Sequence, residues 1–134
     1  MASANVDLVR SIVAPWERGD FSSVDWADPE IEWVVVDGPE PGRWTGLAGL
    51  AEGWRDILGA WDEYRTGVDE YRELDDERVL VLARASARGK ASGVGIGHSR
   101  ANLFRIRDGK VTRIVTYYES EHALADLGLV PEAG

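Results

Sequence analysis

Residues Ala101–Glu119 read ANLFRIRDGKVTRIVTYYE. Two runs of alternating apolar and polar side chains flank Asp108-Gly109, with nothing else between them. A two-residue type I′ turn requires positive φ at both central positions, and Asp-Gly meets that requirement. The stretch therefore predicts a β-hairpin with long arms. Successive strand side chains point to opposite faces. One face carries Asn102, Phe104 and Ile106 on the first arm, then Ile114, Thr116 and Tyr118 on the second. The other carries Leu103, Arg105, Arg107, Arg113 and Tyr117. The first set is assigned to the interior. It is mostly apolar with a few polar groups, a composition that pocket linings share with plain cores.

Upstream of the hairpin, Gly93–Gly97 reads as a flexible or bulged approach. Before it, Val79–Arg88 predicts a long strand on which Leu80, Leu82, Arg84 and Ser86 share a face, assigned inward. Tyr64–Leu74 predicts a charged edge strand, closed by a turn at Asp75-Asp76. Thr45 is placed to cap a helix whose stripe is Leu47, Leu50, Ala51, Trp54, Ile57, Leu58 and Trp61. Glycines at 46, 49, 53 and 59 weaken that helix intrinsically, so burial must hold it. Ile31–Asp37 predicts a strand with Ile31, Trp33 and Val35 on one face, followed by a loop at Gly38–Gly42. Val6, Val9, Ile12, Val13 and Trp16 fall on one side of an N-terminal helix, near whose end Pro15 removes a hydrogen bond. A short second helix is expected from Ser22 or Ser23 through Trp26. After the hairpin, Glu119 or Ser120 caps a helix over Glu121–Leu127, and Gly128 sits at its left-handed stop.

Helices segregated from a mostly antiparallel sheet define an α+β fold, and a strongly curved sheet wrapped around the helices makes a cone with a cavity. A chain of 134 residues suits a single domain spanning 1–134. The formal net charge of −9 argues against nucleic acid and acidic membrane as partners. No run approaches membrane-span length and the N-terminus has no apolar signal core, so a cytoplasmic location is the default expectation. Cysteine is absent and the two histidines lie far apart, so neither a metal site nor a cofactor is expected. The Gly93–Gly97 run GVGIG lacks the strand–loop–helix context of a phosphate-binding loop.

The order of these elements resembles the nuclear-transport-factor-2-like superfamily, and within it the SnoaL-like group that includes ketosteroid isomerase and small polyketide cyclases. The resemblance is carried by Arg18-Gly19-Asp20, by ADPEIEW at Ala27–Trp33, by TGLAGLAEGW at Thr45–Trp54, and by the closing FRIRDGKVTRI and YYESEHALADLGL segments between Phe104 and Leu129. It implies a conical α+β barrel with an apolar pocket, in a homodimer packed through the convex face of the sheet. It does not fix an activity, because this fold hosts enzymes, binding modules and dimerisation modules. The isomerase uses an Asp base with a Tyr and a protonated Asp as oxyanion donors, a set that serves as a standard illustration of tuned carboxyl chemistry. Those positions fall here at Trp33, Ile12 and Asn102, and only Asn102 can still donate a hydrogen bond. The cyclases' acid/base Asp falls at Thr116. The epoxide hydrolases' arginine matches Arg84, with their two Asp at Ser86 and Thr116.

The candidate ligand-binding residues are Trp33, Trp54, Arg84, Asn102, Phe104, Thr116 and Tyr118. Trp33, Trp54, Phe104 and Tyr118 supply apolar surface. Arg84 and Asn102 orient a polar end, with a structural ion pair as the other reading of Arg84. His98 is the candidate general base, because its ordinary pKa lies near neutrality, with an exposed loop histidine as the other reading. The expectation is a pocket protein for a small, mostly apolar molecule with a polar end. An isomerase, cyclase or hydrolase with a non-standard catalytic set, and an interaction domain with a filled core, are the alternatives.

Overall fold

A computed structural model describes residues 4–18, 24–36, 42–89 and 95–129, and for 56–66, 85–89 and 95–99 it describes the backbone course. Helix α1 spans Ala4–Glu17, strand β1 Ala27–Val35, strand β2 Gly42–Thr45 and helix α2 Gly46–Ala60. Strands β3 (Trp61–Glu73), β4 (Arg78–Gly89), β5 (Gly95–Arg107) and β6 (Lys110–Tyr117) follow, then helix α3 (Ser120–Asp126). The strands form one curved, open sheet in the order β2-β1-β6-β5-β4-β3. Every pairing is antiparallel except that of β1 with β6.

The β5–β6 hairpin has the predicted turn. Asp108 has φ 53° and Gly109 φ 75°, the two positive values that a type I′ turn needs. The arms pair Asn102 with Thr116 and Phe104 with Ile114, so the inward set of the hairpin is continuous across both strands.

Two elements differ from the sequence expectation. Val24–Trp26 is a turn, closed by Ala27 N donating to Val24 O at 3.0 Å, and β1 already begins at Ala27. Pro29 lacks an N–H for the ladder, so the strand bulges between Ala27 and Glu32, where Asp28 Oδ1 accepts from Glu30 N. Gly42, expected in the loop, and Thr45, expected as a helix cap, instead belong to a short edge strand, β2, paired with β1. Four residues with alternating burial carry too little hydrophobic pattern to be recognised alone.

The sheet has an inner face under α1 and α2 and an outer face under α3. The inner core joins Val6, Val9, Ile12, Val13 and Trp16 of α1 and Leu50 of α2 to Ile31, Trp33, Val79, Val81, Phe104, Ile106 and Ile114 of the strands. On the outer face, Leu80, Ala101 and Tyr117 pack against Ala123 and Leu124 of α3. Trp16, Trp26, Trp54 and Phe104 form one contiguous aromatic group, with ring centroids 5.2–6.0 Å apart between neighbours. Trp33 extends it, 6.4 Å from Trp54 and 4.8 Å from Trp44.

Helix α2 approaches these rings because Gly53 has no side chain. A Cβ there would lie 2.6 Å from Trp33 Cζ3 and 3.0 Å from Trp44 Cδ2. Gly53→Ala gains about 1 kcal/mol of helix propensity. It also pushes against the buried Trp33 ring and the half-buried Trp44 ring, at about 1–3 kcal/mol. A net loss of about 1 kcal/mol is expected in urea denaturation, and a stabilised variant would refute the close approach.

The β3–β4 turn is held by Asp75. Its Oδ1 accepts from Glu77 N and Arg78 N, both at 2.9 Å, and its Oδ2 accepts from Arg78 Nε at 2.8 Å. These bonds, the Glu77 N–H foremost, hold the carboxyl below its ordinary value of 3.8. A folded pKa below the unfolded one adds stability that is complete above the unfolded value and is lost as pH falls through the folded value. The melting temperature of Asp75→Ala is therefore expected to lie below that of the parent at pH 7 and to converge with it in strong acid. A gap that persists at pH 2 would contradict this.

Candidate functional site

The polar groups of the inner face sit on β5 and β6, beside the aromatic group. Trp33 is buried and its indole N–H, which can only donate, gives its hydrogen to Thr116 Oγ1 at 2.9 Å. Thr116, also buried, then donates its own hydroxyl hydrogen to Asn102 Oδ1 at 2.7 Å. In this arrangement the oxygen of Asn102 faces Thr116, and its NH2 is turned away from it. Among the described residues no acceptor is hydrogen-bonded to that NH2.

Two residues earlier on β5, on the same face and roughly 7 Å along the strand, lies Arg100. Its partner on β4 is Ala83, which belongs to the inner core. Arg100 is 6% exposed. Its guanidinium stacks 3.8 Å from the centroid of the Tyr118 ring. Among the described residues its Nε has no hydrogen-bond acceptor and no carboxylate forms an ion pair with it. Arg100 and Thr116 are the buried polar residues among those described, so no described carboxylate is buried beside them.

The expected site residues divide into two groups. Trp33, Trp54, Asn102, Phe104, Thr116 and Tyr118 all contribute to or pack against the inner face. Arg84 does not. Its side chain is 76% exposed on the outer face and donates to Asp69 Oδ1 at 2.8 Å. That bond and the Asp69 charge raise its pKa further above an already high value. The inward assignment of Arg84 fails because β4 is apolar on both faces. Val79, Val81 and Ala83 fill the inner core, while Leu80 lies in the cluster under α3. Alternation alone does not say which set is interior. The side chains of Ser86 and His98 lie outside the described residues; the backbone of His98 is in β5, opposite Ala85.

Sequence reasoning missed Arg100, the inward arginine. The signal was available: counting back two from Asn102 reaches it, once β5 is allowed to start at Gly95 rather than after a bulged glycine stretch. An arginine flanked by two polar side chains therefore does occur on the inner face, as Arg100 with Asn102 and Thr116. Neither neighbour is a carboxylate, so this set donates hydrogen bonds and does not take up protons.

A concavity of about 220 Å³ lies on the outer face and is lined by Arg78, Leu103, Arg105, Arg113 and Val115. Two of its arginines have acidic neighbours: Arg113 Nε is 3.0 Å from Glu32 Oε1, and Arg78 pairs with Asp75. Its walls are therefore partly neutralised, unlike the surroundings of Arg100. Among the described residues no group of three or more His, Cys, Asp or Glu is placed to hold a metal ion. No described helix is long and apolar enough to cross a membrane.

The SnoaL-like domain family matches residues 9–114. The chain is similar in fold to TerC, co-crystallised with polyporic acid, at 22% identity over 93% of this chain and 98% of that one, with a TM-score of 0.73. It is also similar to an NTF2-like protein of Burkholderia thailandensis E264, at 20% identity over 97% and 100% of the two chains and a TM-score of 0.79. A third similar structure is a ketosteroid isomerase-like-fold protein of Catenulispora acidiphila DSM 44928 in complex with trimethylamine. The two share 17% identity over 96% and 97% of their lengths, with a TM-score of 0.69. No curated protein matches the chain.

Proposed function

The chain belongs to the SnoaL-like domain family, and from that membership we propose that it is a pocket protein whose inner face binds a small, mostly apolar molecule with a polar end. The observation that carries this reading is the juxtaposition of polar donors on β5 and β6 with the aromatic group of Trp33, Trp54 and Phe104. A filled core has no need of a buried arginine whose Nε has no acceptor among the described residues, since an unpaired buried polar group is destabilising. Ligand complexes of two fold relatives, one with polyporic acid and one with trimethylamine, support small molecules as occupants of this fold. Trp33, Trp54, Phe104 and Tyr118 would supply the apolar walls, and Asn102, oriented by Thr116, a polar contact.

The reading extends to one domain over the whole chain, a cytoplasmic location, and a homodimer formed through the outer face. Leu103 and Val115, at the centre of the arginine-rimmed groove, support that choice of face. Sedimentation equilibrium of the parent and of Leu103→Glu tests the dimer, with a monomeric parent as the outcome against it.

The pocket is tested by tryptophan fluorescence during titration with aromatic ketones, phenols and lactones of increasing size, with Trp54→Phe in parallel. Saturable quenching with at least one neutral compound, altered in the variant, is the expected result. A flat response across the panel from a folded protein would return the inner face to plain core.

A further inference from the structure

We infer that the inner end of β5 is a site for an aromatic carboxylate, with Arg100 as its counter-ion and the Asn102 amide as its second donor. This rests on the pocket reading above and names the chemistry of its polar end.

A guanidinium is permanently charged and is costly to bury without an opposite charge. Arg100 is 94% buried on the complementary count to its 6% exposure. Among the described residues it has the Tyr118 ring beneath it and no carboxylate beside it. A ring face compensates a cation only in part. The free Nε and the planar fork suit a carboxylate, which accepts two parallel hydrogen bonds from an arginine. The arginine on the outer face of β4 shows the contrast: Arg84, exposed, pairs with Asp69, whereas Arg100, buried, has no acid beside it among the described residues.

The neighbours have the same sign of chemistry. In the Trp33–Thr116–Asn102 relay the amide oxygen of Asn102 faces Thr116, so its two N–H donors point away from that bond. The site is therefore built from donors: a guanidinium and an amide NH2. An anion with acceptor oxygens satisfies both; an amine or ammonium satisfies neither. The Tyr118 ring against Arg100 and the Trp33 ring bonded to Thr116 favour a flat apolar body on that anion.

The test is isothermal calorimetry at pH 7 with 2-naphthoate, its uncharged amide 2-naphthamide, and the cation 2-naphthylmethylammonium. The parent is compared with Arg100→Met, Arg100→Lys, Asn102→Leu and the outer-face control Arg84→Gln. The parent is expected to bind the carboxylate at least 10-fold more tightly than the amide, and the ammonium more weakly than both. Arg100→Met should abolish the preference while still binding the amide. Asn102→Leu should weaken the acid about 10-fold, Arg100→Lys should retain part of the preference, and Arg84→Gln should match the parent. Arg100→Met should also melt no lower than the parent, because it removes an uncompensated buried charge. Equal affinity of the parent for acid and amide would overturn the anion site and leave the pocket standing. Binding of none of the three would overturn both. The comparison of acid with amide on the parent needs no variant, so a misfolded variant does not remove the test.

Discussion

Replacing Phe104 with alanine is expected to lower the unfolding free energy by about 3–5 kcal/mol, the usual loss for a fully buried aromatic ring. Phe104 is completely buried in the middle of β5, paired with Ile114 on β6 and Val79 on β4. Its ring stacks against Trp16 at 6.0 Å, which ties the sheet to α1. Ring removal would open a cavity bounded by tryptophans, whose rigid rings do not collapse into it as aliphatic side chains do. Domains of this size are stable by about 5–15 kcal/mol, so the variant would stand near the threshold of folding. Phe104→Leu keeps most of the volume and should lose roughly 1–2 kcal/mol. Urea denaturation measures both. A loss below about 1 kcal/mol for the alanine variant would mean that the inner face is not packed as described.

That prediction stands on a residue whose place was readable in the sequence, and the reason is physical. The hairpin has one turn dipeptide with a single satisfactory geometry, and the positive φ values at Asp108 and Gly109 fix the pairing next to the turn. Beyond it a bulge at Thr112 shifts the register so that Phe104 faces Ile114, and the inward assignments there follow from the apolar alternation of each arm. The stripe of α1 was equally legible, because Val6, Val9, Ile12, Val13 and Trp16 lie on one side of a helix that has a polar opposite side. Strand β4 was not, because it carries apolar residues on both faces: Val79, Val81 and Ala83 in the inner core, Leu80 and Leu82 in the outer cluster. Leu80 and Val81 are both buried there, and an apolar run without polar alternation leaves its orientation undetermined. The error on Arg84 and the omission of Arg100 share this origin. The first took the wrong face of a strand that is apolar on both sides, and the second began the neighbouring strand too late. The relay from Trp33 to Asn102 was beyond sequence reading altogether. It joins residues far apart in the chain through a parallel pairing of β1 with β6, a tertiary fact that no local pattern encodes. Read as equivalents of catalytic positions, Trp33, Asn102 and Thr116 had looked like three separate losses of a carboxylate. In the fold they are one hydrogen-bonded chain.

The chain should reveal itself in Thr116→Val, which keeps the shape of the side chain and removes its hydroxyl. The buried Trp33 indole N–H then has no acceptor at that position, and a loss of about 1–3 kcal/mol is expected for an unsatisfied buried donor. Thr116→Ser keeps the hydroxyl and loses one methyl group, so it should lose about 1 kcal/mol or less. The order valine worse than serine is the diagnostic result, since hydrophobic burial alone predicts the reverse. A double-mutant cycle with Trp33→Phe isolates the bond: a coupling of about 1 kcal/mol is expected, and additivity would show that the 2.9 Å contact contributes nothing. The Trp33 indole proton offers a second readout, because loss of its acceptor should shift its resonance upfield and speed its exchange with solvent. The consequence reaches the ligand end of the relay. Without the Thr116 hydroxyl to receive its oxygen, the Asn102 amide is free to turn its acceptor toward Arg100. An amide oxygen there would satisfy the guanidinium from within the protein and weaken its hold on a carboxylate. A variant that loses stability and also loses discrimination between acid and amide would mark Thr116 as the residue that keeps the site a donor.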